Sequence, residues 1–367
     1  MKIRGAVLEE SGRDRPYATS RPLSVAELDL EPPGPGEVLV QLEAAGVCHS
    51  DLSVVNGDRP RPTPMLLGHE AAGKVVEVGD GVTDLSTGRR VVLVFLPACG
   101  DCAGCASNGL RPCERGSATN AEGTLLGGGS RISREGRSIK HHLGVSGFAT
   151  HAVVNRASVV PVDDDVPPAV AALLGCAVLT GGGAVVNAGR LTPADTVMVV
   201  GLGGVGLAAV LVAVAAGAAR VIAVDPFEHK RELALDLGAA EAATPEQVAE
   251  LGIRADLAIE AAGSVPAFET ALAATAVGGR TVTVGLAPPG RYAQVSPLTL
   301  VAEARTIIGS YLGSSVPARD VPRYVEWWRA GRLPVERLAS AEIELGQINE
   351  AMDALAAGTA LRQIIRF

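Results

Sequence analysis

Four of the six cysteines crowd into fifteen positions, as Cys99-x2-Cys102-x2-Cys105-x7-Cys113. Four thiolates in so short a loop suit a tetrahedral zinc ion whose protein ligands close the site to chemistry. An iron–sulfur cluster on the same four cysteines is the rival, though nothing around them suggests electron transfer. Free buried cysteines would not need this spacing. Disulfides are the alternative in an exported chain. The polar, charged start Met1–Tyr17 has no apolar core of a secretory signal, so a reducing cytosol and metal ligation are the better account.

A second constellation is Gly201-Leu202-Gly203-Gly204-Val205-Gly206. It follows the apolar run Thr196–Val200 and opens the helical run Leu207–Ala216. A second strand candidate, Val221–Val224, ends in Asp225, nineteen residues past Gly206. Strand, glycine turn, helix and distant carboxylate together specify a dinucleotide site. Gly201 permits the tight turn, Gly203 admits the pyrophosphate, and Gly206 lets helix and strand pack. The helix N-terminus offers unpaired N–H groups to phosphate. Asp225 should accept from the adenosine ribose hydroxyls and repel a 2′-phosphate. Pro226 and Phe227 follow it rather than Arg, so NAD is expected over NADP. A solvated strand-end carboxylate is the bland alternative for Asp225.

The remaining chemistry-bearing residues are scattered. Cys48-His49-Ser50-Asp51 sets a thiol, an imidazole, a hydroxyl and a carboxylate side by side, and Gly68-His69-Glu70 follows a Pro-rich turn. Spacing alone does not group Cys48, His69 and Cys176. An open zinc site of two thiolates and one imidazole is one possibility; packed or surface residues are the other.

These groups need elements to hold them. Short apolar or alternating runs occur at Glu37–Leu42, Gly73–Val78, Arg90–Phe95 and Ala152–Val154, punctuated by Gly/Pro-rich turns. They predict an irregular β domain. Beyond Pro168, an Ala-rich helical stretch (Ala169–Ala188) leads into alternating strands and helices. The candidates are Thr196–Val200, Gly206–Ala216, Arg220–Val224, Lys230–Leu237, Leu257–Ile259, Val265–Ala274 and Arg280–Val284. That alternation predicts a doubly wound parallel sheet. Asp320–Ala330 and Ile348–Ala357 read as amphipathic helices, and Arg362–Phe367 as a closing strand. The uncharged run Val197–Ala219 is long enough to span a bilayer. Its glycine cluster favours a buried strand–turn–helix instead, so no membrane partner is expected.

The length of 367 residues, with 47% hydrophobic content, implies two domains. The net charge of −8 and the lack of a basic run exclude a nucleic-acid footprint.

In order and type, Cys48-His49-Ser50-Asp51, Gly68-His69-Glu70, the four-cysteine lobe, Gly175-Cys176, and Gly201–Gly206 with Asp225 resemble the zinc-containing medium-chain alcohol dehydrogenases. The similarity is closest to the liver-type and glutathione-dependent formaldehyde dehydrogenase branch and covers essentially the whole chain. It implies a GroES-like catalytic domain (residues 1–177 and 313–367) around an inserted Rossmann NAD domain (178–312). It implies two zinc ions per chain. Cys48, His69 and Cys176 would hold the catalytic zinc, with Glu70 able to approach it and Asp51 orienting His69. Cys99, Cys102, Cys105 and Cys113 would hold the structural zinc. His49 and Arg362 match pyrophosphate contacts, Lys230 a contact near the adenosine ribose, and Thr180 and Val205 the brace of the nicotinamide ring. Ser50 matches the hydroxyl that takes the alcohol proton. Phe95 matches an apolar substrate wall, which Leu286, Tyr311 and Leu312 extend, Leu286 also lying at the cofactor.

Three departures stand out. Ser53 replaces the histidine that ends the proton relay in many relatives. His142 replaces a bulky apolar residue and suggests a more polar substrate channel. Gly182-Gly183 replaces a motif that often carries an aromatic residue. The resemblance thus implies a cytoplasmic, homodimeric enzyme that oxidises a primary alcohol or reduces its aldehyde. The alternatives are a dehydrogenase of thiol adducts of formaldehyde and a non-catalytic NAD-binding sensor. A zinc-independent quinone reductase should lack both metal sets, and a polyol dehydrogenase usually has Glu in place of a thiolate near the third ligand, where Cys176 stands.

Overall fold

The structure, a computed structural model, describes Met1–Phe367. The chain forms two compact units. The first comprises Met1–Ser107, Arg111–Cys176 and Ala339–Phe367; the second comprises Asn108–Leu110 and Ala177–Leu338. The return to the first unit therefore falls at 338/339 rather than at the expected 312/313. The cause is packing: helix Pro317–Arg329 lies on Leu179–Gly183, and Asp320, fully buried, accepts from Asn187 Nδ2 at 3.0 Å.

In the first unit, Lys2–Leu8, Leu23–Leu30, Ile132–Arg134, Arg137–His141 and Met65–Leu66 close a small barrel. Its interior is filled by Ile3, Val7, Leu28, Leu66, Ile139 and their neighbours. A second sheet runs in the order Val159–Pro161, Arg90–Leu93, Ala71–Val78, Glu37–Val47, Gln363–Arg366, Ala341–Ile343, with His151–Asn155 also pairing to Glu37–Val47. The long strand Glu37–Val47 is central and buried over nearly its whole length. Register shifts against Ala71–Val78 between Leu39/Val40 and Leu42/Ala44 bend it. Its far end pairs antiparallel with the C-terminal strand, Gln363 opposite Val47. The sequence reading stopped this strand at Leu42, because the Ala44-Ala45-Gly46 run has weak strand preference; its pairing on both sides overrides that.

The second unit is a six-stranded parallel sheet in the order Glu241–Ala243, Arg220–Val224, Thr196–Val200, Ala255–Glu260, Thr275–Thr283, Thr306–Gly309. Helices Gly204–Ala215, Glu228–Asp236 and Val265–Ala273 form the crossovers. The expected doubly wound architecture is thus present. Strand Thr275–Thr283 begins five residues before its sequence-derived start at Arg280, a stretch hidden by Gly278-Gly279. The Ala-rich stretch is helical from Pro168 to Ala188 but contains π-helical turns at Leu174–Val178 and Ala184–Ala188. It is long and apolar enough to cross a membrane, yet 89% of its most apolar window is buried within the protein, as in a core helix.

The turn carrying His69 depends on one glycine. Gly68 has φ +89°, and a Cβ there would lie 2.5 Å from the Phe148 amide nitrogen, which donates to Leu67 O at 3.0 Å. Gly68→Ala therefore forces both a left-handed alanine and a backbone shift. We expect a loss of about 1–3 kcal/mol, read as a lower urea midpoint; an unchanged midpoint would show that the turn relaxes freely.

Candidate active site and metal centres

Cys48 leaves the end of Glu37–Val47 and forms the N-cap of the short helix His49–Val55, with extended dihedrals of φ −123° and ψ 154°. Asp51, in the first turn, accepts from the Cys48 amide through Oδ2 at 3.0 Å. Its other oxygen, Oδ1, lies 2.9 Å from His69 Nδ1 and 3.3 Å from His142 Nδ1. Only the His69 contact has hydrogen-bond geometry. The bond at Nδ1 leaves His69 Nε2 to face sulfur: Cys176 Sγ is 3.4 Å away. Cys176 sits in the first π-helical turn. Gly175 before it packs so closely that a Cβ would meet Leu93 O at 2.3 Å. Ligand atoms of Cys48, His69 and Cys176 lie within 4.8 Å of one another, and all three side chains are buried.

The protonation pattern reflects this crowding. Burial opposes the charge on Asp51, but the His69 and His142 imidazoles overcome it and hold the carboxyl at about 2. Burial likewise opposes imidazolium at His69, and Asp51 with Cys48 reverses it to about 10. The neighbouring Cys176 thiol pulls Cys48 well down, and Cys48 together with burial pushes Cys176 well up. A divalent cation binding here displaces protons from His69 and Cys176. Two sulfurs and one imidazole nitrogen, preorganised by a carboxylate behind the imidazole, fit an open zinc site.

Around these donors, Phe95 and His142 stand edge-on to the His69 ring, with centroids 5.6 and 5.5 Å away. Glu70 is fully buried; its Oε2 lies 3.7 Å from Arg362 Nη2. A Cβ on Gly46 would fall 1.9 Å from Glu70 Oε1, so the glycine makes room for this carboxylate. Arg362 is 2% exposed and donates to Val47 O at 3.3 Å. Burial opposes its charge, and Cys48 and Glu70 hold it firmly in place. Its depth was not foreseen: a terminal arginine reads as surface charge, and only the pairing of Gln363 with Val47 draws it inward. Ser50 is half-buried and His49 exposed. The Ser53 hydroxyl donates to His49 O at 2.8 Å.

The cysteine lobe is equally organised. Sγ atoms of Cys99, Cys102, Cys105 and Cys113 lie within 4.8 Å of one another, with Cys99–Cys105 and Cys102–Cys113 at 3.9 Å. Zn–S bonds of about 2.3 Å in a tetrahedron require sulfurs roughly 3.8 Å apart. The observed separations are close to that and far beyond a disulfide. Amides of Cys99, Gly100, Cys105 and Gly116 point at the sulfurs at 3.3–3.4 Å.

In the second unit, each glycine of the nucleotide turn has a distinct reason. Gly201 has φ +92°, and a Cβ there would lie 2.6 Å from Ala262. A Cβ on Gly206 would fall 1.8 Å from Gly201 O, while Gly203 faces open space at the helix N-cap. Gly204 opens the helix, and Val205 follows it half-buried. Asp225 is 5% exposed and accepts from Leu202 N at 2.8 Å and Phe227 N at 3.0 Å. Lys230 Nζ lies over the Phe227 ring at 4.8 Å. Arg231, which the sequence reading passed over, folds back onto the carbonyls of Asp225 and Pro226 at 2.8 and 2.9 Å. Thr180 is buried on a helix that packs closely on the nucleotide-turn helix: a Cβ on Gly181 would meet Val205 O at 2.2 Å. The Gly182 departure also has a cause, since a Cβ there would lie 2.7 Å from the Tyr324 hydroxyl. Leu286 is exposed and Tyr311 lies at the surface, whereas Leu312 is buried with φ +52°.

Comparison with known proteins agrees with this geometry. The sequence profile of the alcohol dehydrogenase GroES-like domain matches residues 34–164, and that of the zinc-binding dehydrogenase domain matches residues 204–329. The S-(hydroxymethyl)glutathione dehydrogenase of Synechocystis sp. is 36% identical over 378 residues, covering all of both chains. The NDMA-dependent alcohol dehydrogenase of Amycolatopsis methanolica is 36% identical over 375 residues, covering 100% of this chain and 99% of that protein. The crystal structure of benzyl alcohol dehydrogenase from Acinetobacter calcoaceticus superposes with a TM-score of 0.91 at 31% identity, covering 100% and 99% of the two chains.

The chain belongs to the zinc-containing medium-chain alcohol dehydrogenases. It is a zinc-dependent, nicotinamide-linked alcohol dehydrogenase, with alcohols and aldehydes as its substrate class.

In this enzyme Asp51 ties Cys48 and His69 together. Asp51→Ala should weaken zinc retention by roughly 10–100-fold, measured by dialysis against graded chelator. Equal retention in variant and wild type would remove Asp51 from the metal site.

Proposed function

We propose that this enzyme is NAD-linked, holds two zinc ions per chain and acts on primary alcohols and their aldehydes. The observation that carries the reading is the complete, buried donor set Cys48, His69 and Cys176 beside Phe95, with Asp51 behind the imidazole. In this reading those three residues hold the catalytic zinc, which Glu70 can approach. Cys99, Cys102, Cys105 and Cys113 hold the structural one. When bound, the catalytic zinc supplies Lewis acidity toward the substrate oxygen, and NAD supplies the hydride acceptor.

The residues of the chain do the positioning. Asp51 fixes the His69 tautomer. Phe95 excludes water from one side. Thr180 and Val205 brace the nicotinamide, which confines the reacting atoms to a near-attack arrangement. The Gly201–Gly206 turn takes the pyrophosphate, and Lys230 the region of the adenosine ribose. Asp225 keeps lone pairs for the ribose hydroxyls and disfavours a 2′-phosphate, although Arg231 nearby tempers that discrimination. Ser50 accepts the proton of the substrate hydroxyl. A serine hydroxyl at Ser53 cannot act as a base at neutral pH, so water carries the proton onward. The edge strand Thr306–Gly309 suits pairing with a second copy, giving a homodimer whose solution mass is twice that of one chain; a monomeric mass at micromolar concentration would rule the pairing out. We assign the enzyme to the cytoplasm on its six free cysteines, which a reducing compartment keeps as thiols.

Elemental analysis of the purified enzyme should find about two zinc ions per chain. Cys176→Ala should lose one of them and all alcohol oxidation while keeping its circular dichroism spectrum. One zinc in the fully loaded wild type would defeat the two-site assignment.

NAD should give the higher kcat/KM, and Asp225→Gly should narrow its margin over NADP. Faster turnover of NADP by the wild type would overturn the role given to Asp225.

Ser53→His should raise alcohol oxidation near pH 7, where imidazole is largely in its basic form, within the ~10²–10⁴-fold range of general-base assistance, and matter less about two to three units higher, where hydroxide competes as proton acceptor. Coincident pH–rate profiles, with a deuterium isotope effect showing that hydride transfer limits the rate, would place the proton path elsewhere.

A further inference from the structure

Arg61 lies in the Pro-rich turn Arg59-Pro60-Arg61-Pro62 that leads to the His69 segment. It is only partly exposed. Its Nη1 donates to Asn120 O at 3.3 Å, and Asn120 Nδ2 in turn donates to Phe95 O at 2.7 Å. Phe95 is the ring packed edge-on against His69. The guanidinium is thereby tied, through two backbone carbonyls, to the segment that carries Phe95. It also lies close enough to His142 to act on it electrostatically. Burial pushes the His142 imidazole down, Asp51 works against that, and the cations of His69 and Arg61 add to the lowering.

What sets Arg61 apart is its lack of an anion. In the same unit Arg90, Arg131, Arg134 and Arg156 each hold a carboxylate, from Glu43, Glu37, Glu9 and Asp84. Arg61 makes its one bond to a carbonyl, and no carboxylate lies within ion-pair distance of it. A partly exposed guanidinium, anchored by one bond and without an anion, is free to receive a carboxylate, which its planar fork binds bidentately.

We propose that Arg61 is a specificity residue that binds a carboxylate at the far end of the substrate, so that the preferred substrates are primary alcohols or aldehydes bearing a carboxylate remote from the reacting carbon. This rests on the reading of Cys48, His69 and Cys176 as the catalytic metal site. Phe95 then packs the apolar body between the two ends, and His142 supplies a polar lining on the same side. The reaction itself is unchanged: the carboxylate takes no part in bond making and leaves with the product.

The test compares pairs of equal size on the zinc-loaded enzyme: 4-(hydroxymethyl)benzoate with benzyl alcohol, and 6-hydroxyhexanoate with 1-hexanol. The wild type should favour the carboxylated member of each pair in kcat/KM. Arg61→Ala should lower that preference about 10- to 100-fold, the usual worth of one charge-assisted pair, through KM and with the neutral alcohols nearly unaffected. Arg61→Lys should recover part of it, and raising the ionic strength should erode it in wild type alone. Equal losses for charged and neutral substrates would mean that Arg61 only props the Asn120 segment, and would overturn the proposal. Calorimetric titration of the same enzymes with 4-(hydroxymethyl)benzoate reads binding without turnover. If no alcohol is oxidised, the assignment of function fails; tighter binding to wild type than to Arg61→Ala would still support the carboxylate site, and equal binding would overturn it.

Discussion

Asp51 is a wholly buried carboxylate that cannot give up either of its oxygens without cost. One caps the amide of Cys48; the other holds His69 Nδ1 and lies close to His142. A buried anion survives only when its partners outweigh its desolvation. Here the imidazoles do so, and the carboxyl stays near 2. The same contacts fix one thiol and one imidazole relative to each other. Cys48 comes from a strand end and His69 from a turn twenty-one residues later. The backbones meet beside them, where Gly46 N donates to Glu70 O at 2.9 Å, and the carboxylate fixes the two side chains within that frame. Placement of the third donor follows from packing: Gly175 brings the Cys176 turn against Leu93 O.

The chain meets this constraint with glycines at points of contact rather than at turns alone. Gly46 clears the space that Glu70 occupies, Gly68 lets the His69 turn graze Phe148, and Gly206 lets its helix rest on Gly201 O. At Gly68 and Gly206 the approach is of backbone to backbone, closer than a Cβ allows. Such contacts are stiff, because no side-chain rotation relieves them. That stiffness preorganises donors for a metal ion and amides for a phosphate, which lowers the reorganisation needed on binding.

Polar groups at the centre are arranged around opposite charges that stay close but are not all neutralised. Arg362 and Glu70 face each other beside Cys48, deep in the first unit. Arg61, joined through Asn120 to the Phe95 segment, has no anion. Unequal pairing of two arginines near one metal site is a physical asymmetry: one stabilises what the protein already contains, and the other is left to what it receives.

The sequence by itself determined whatever is local. The Cys99–Cys113 spacing and the strand, Gly201–Gly206 turn and helix are each contained in a short segment, so residue type and interval are enough to announce them. The alternation after Pro168 announced the parallel sheet for the same reason. Grouping Cys48, His69 and Cys176 needed resemblance to a family, because their spacing has no period. Tertiary structure alone decided the rest. The register of Gln363 against Val47 buried Arg362, the packing of Pro317–Arg329 on Leu179–Gly183 moved the unit boundary to 338/339, and the turn at Arg61 brought a cation to the wall of Phe95. Register and packing are sums over many weak long-range contacts. No single segment encodes them, so an arginine that is buried or poised in the fold looks in the chain like any other surface charge.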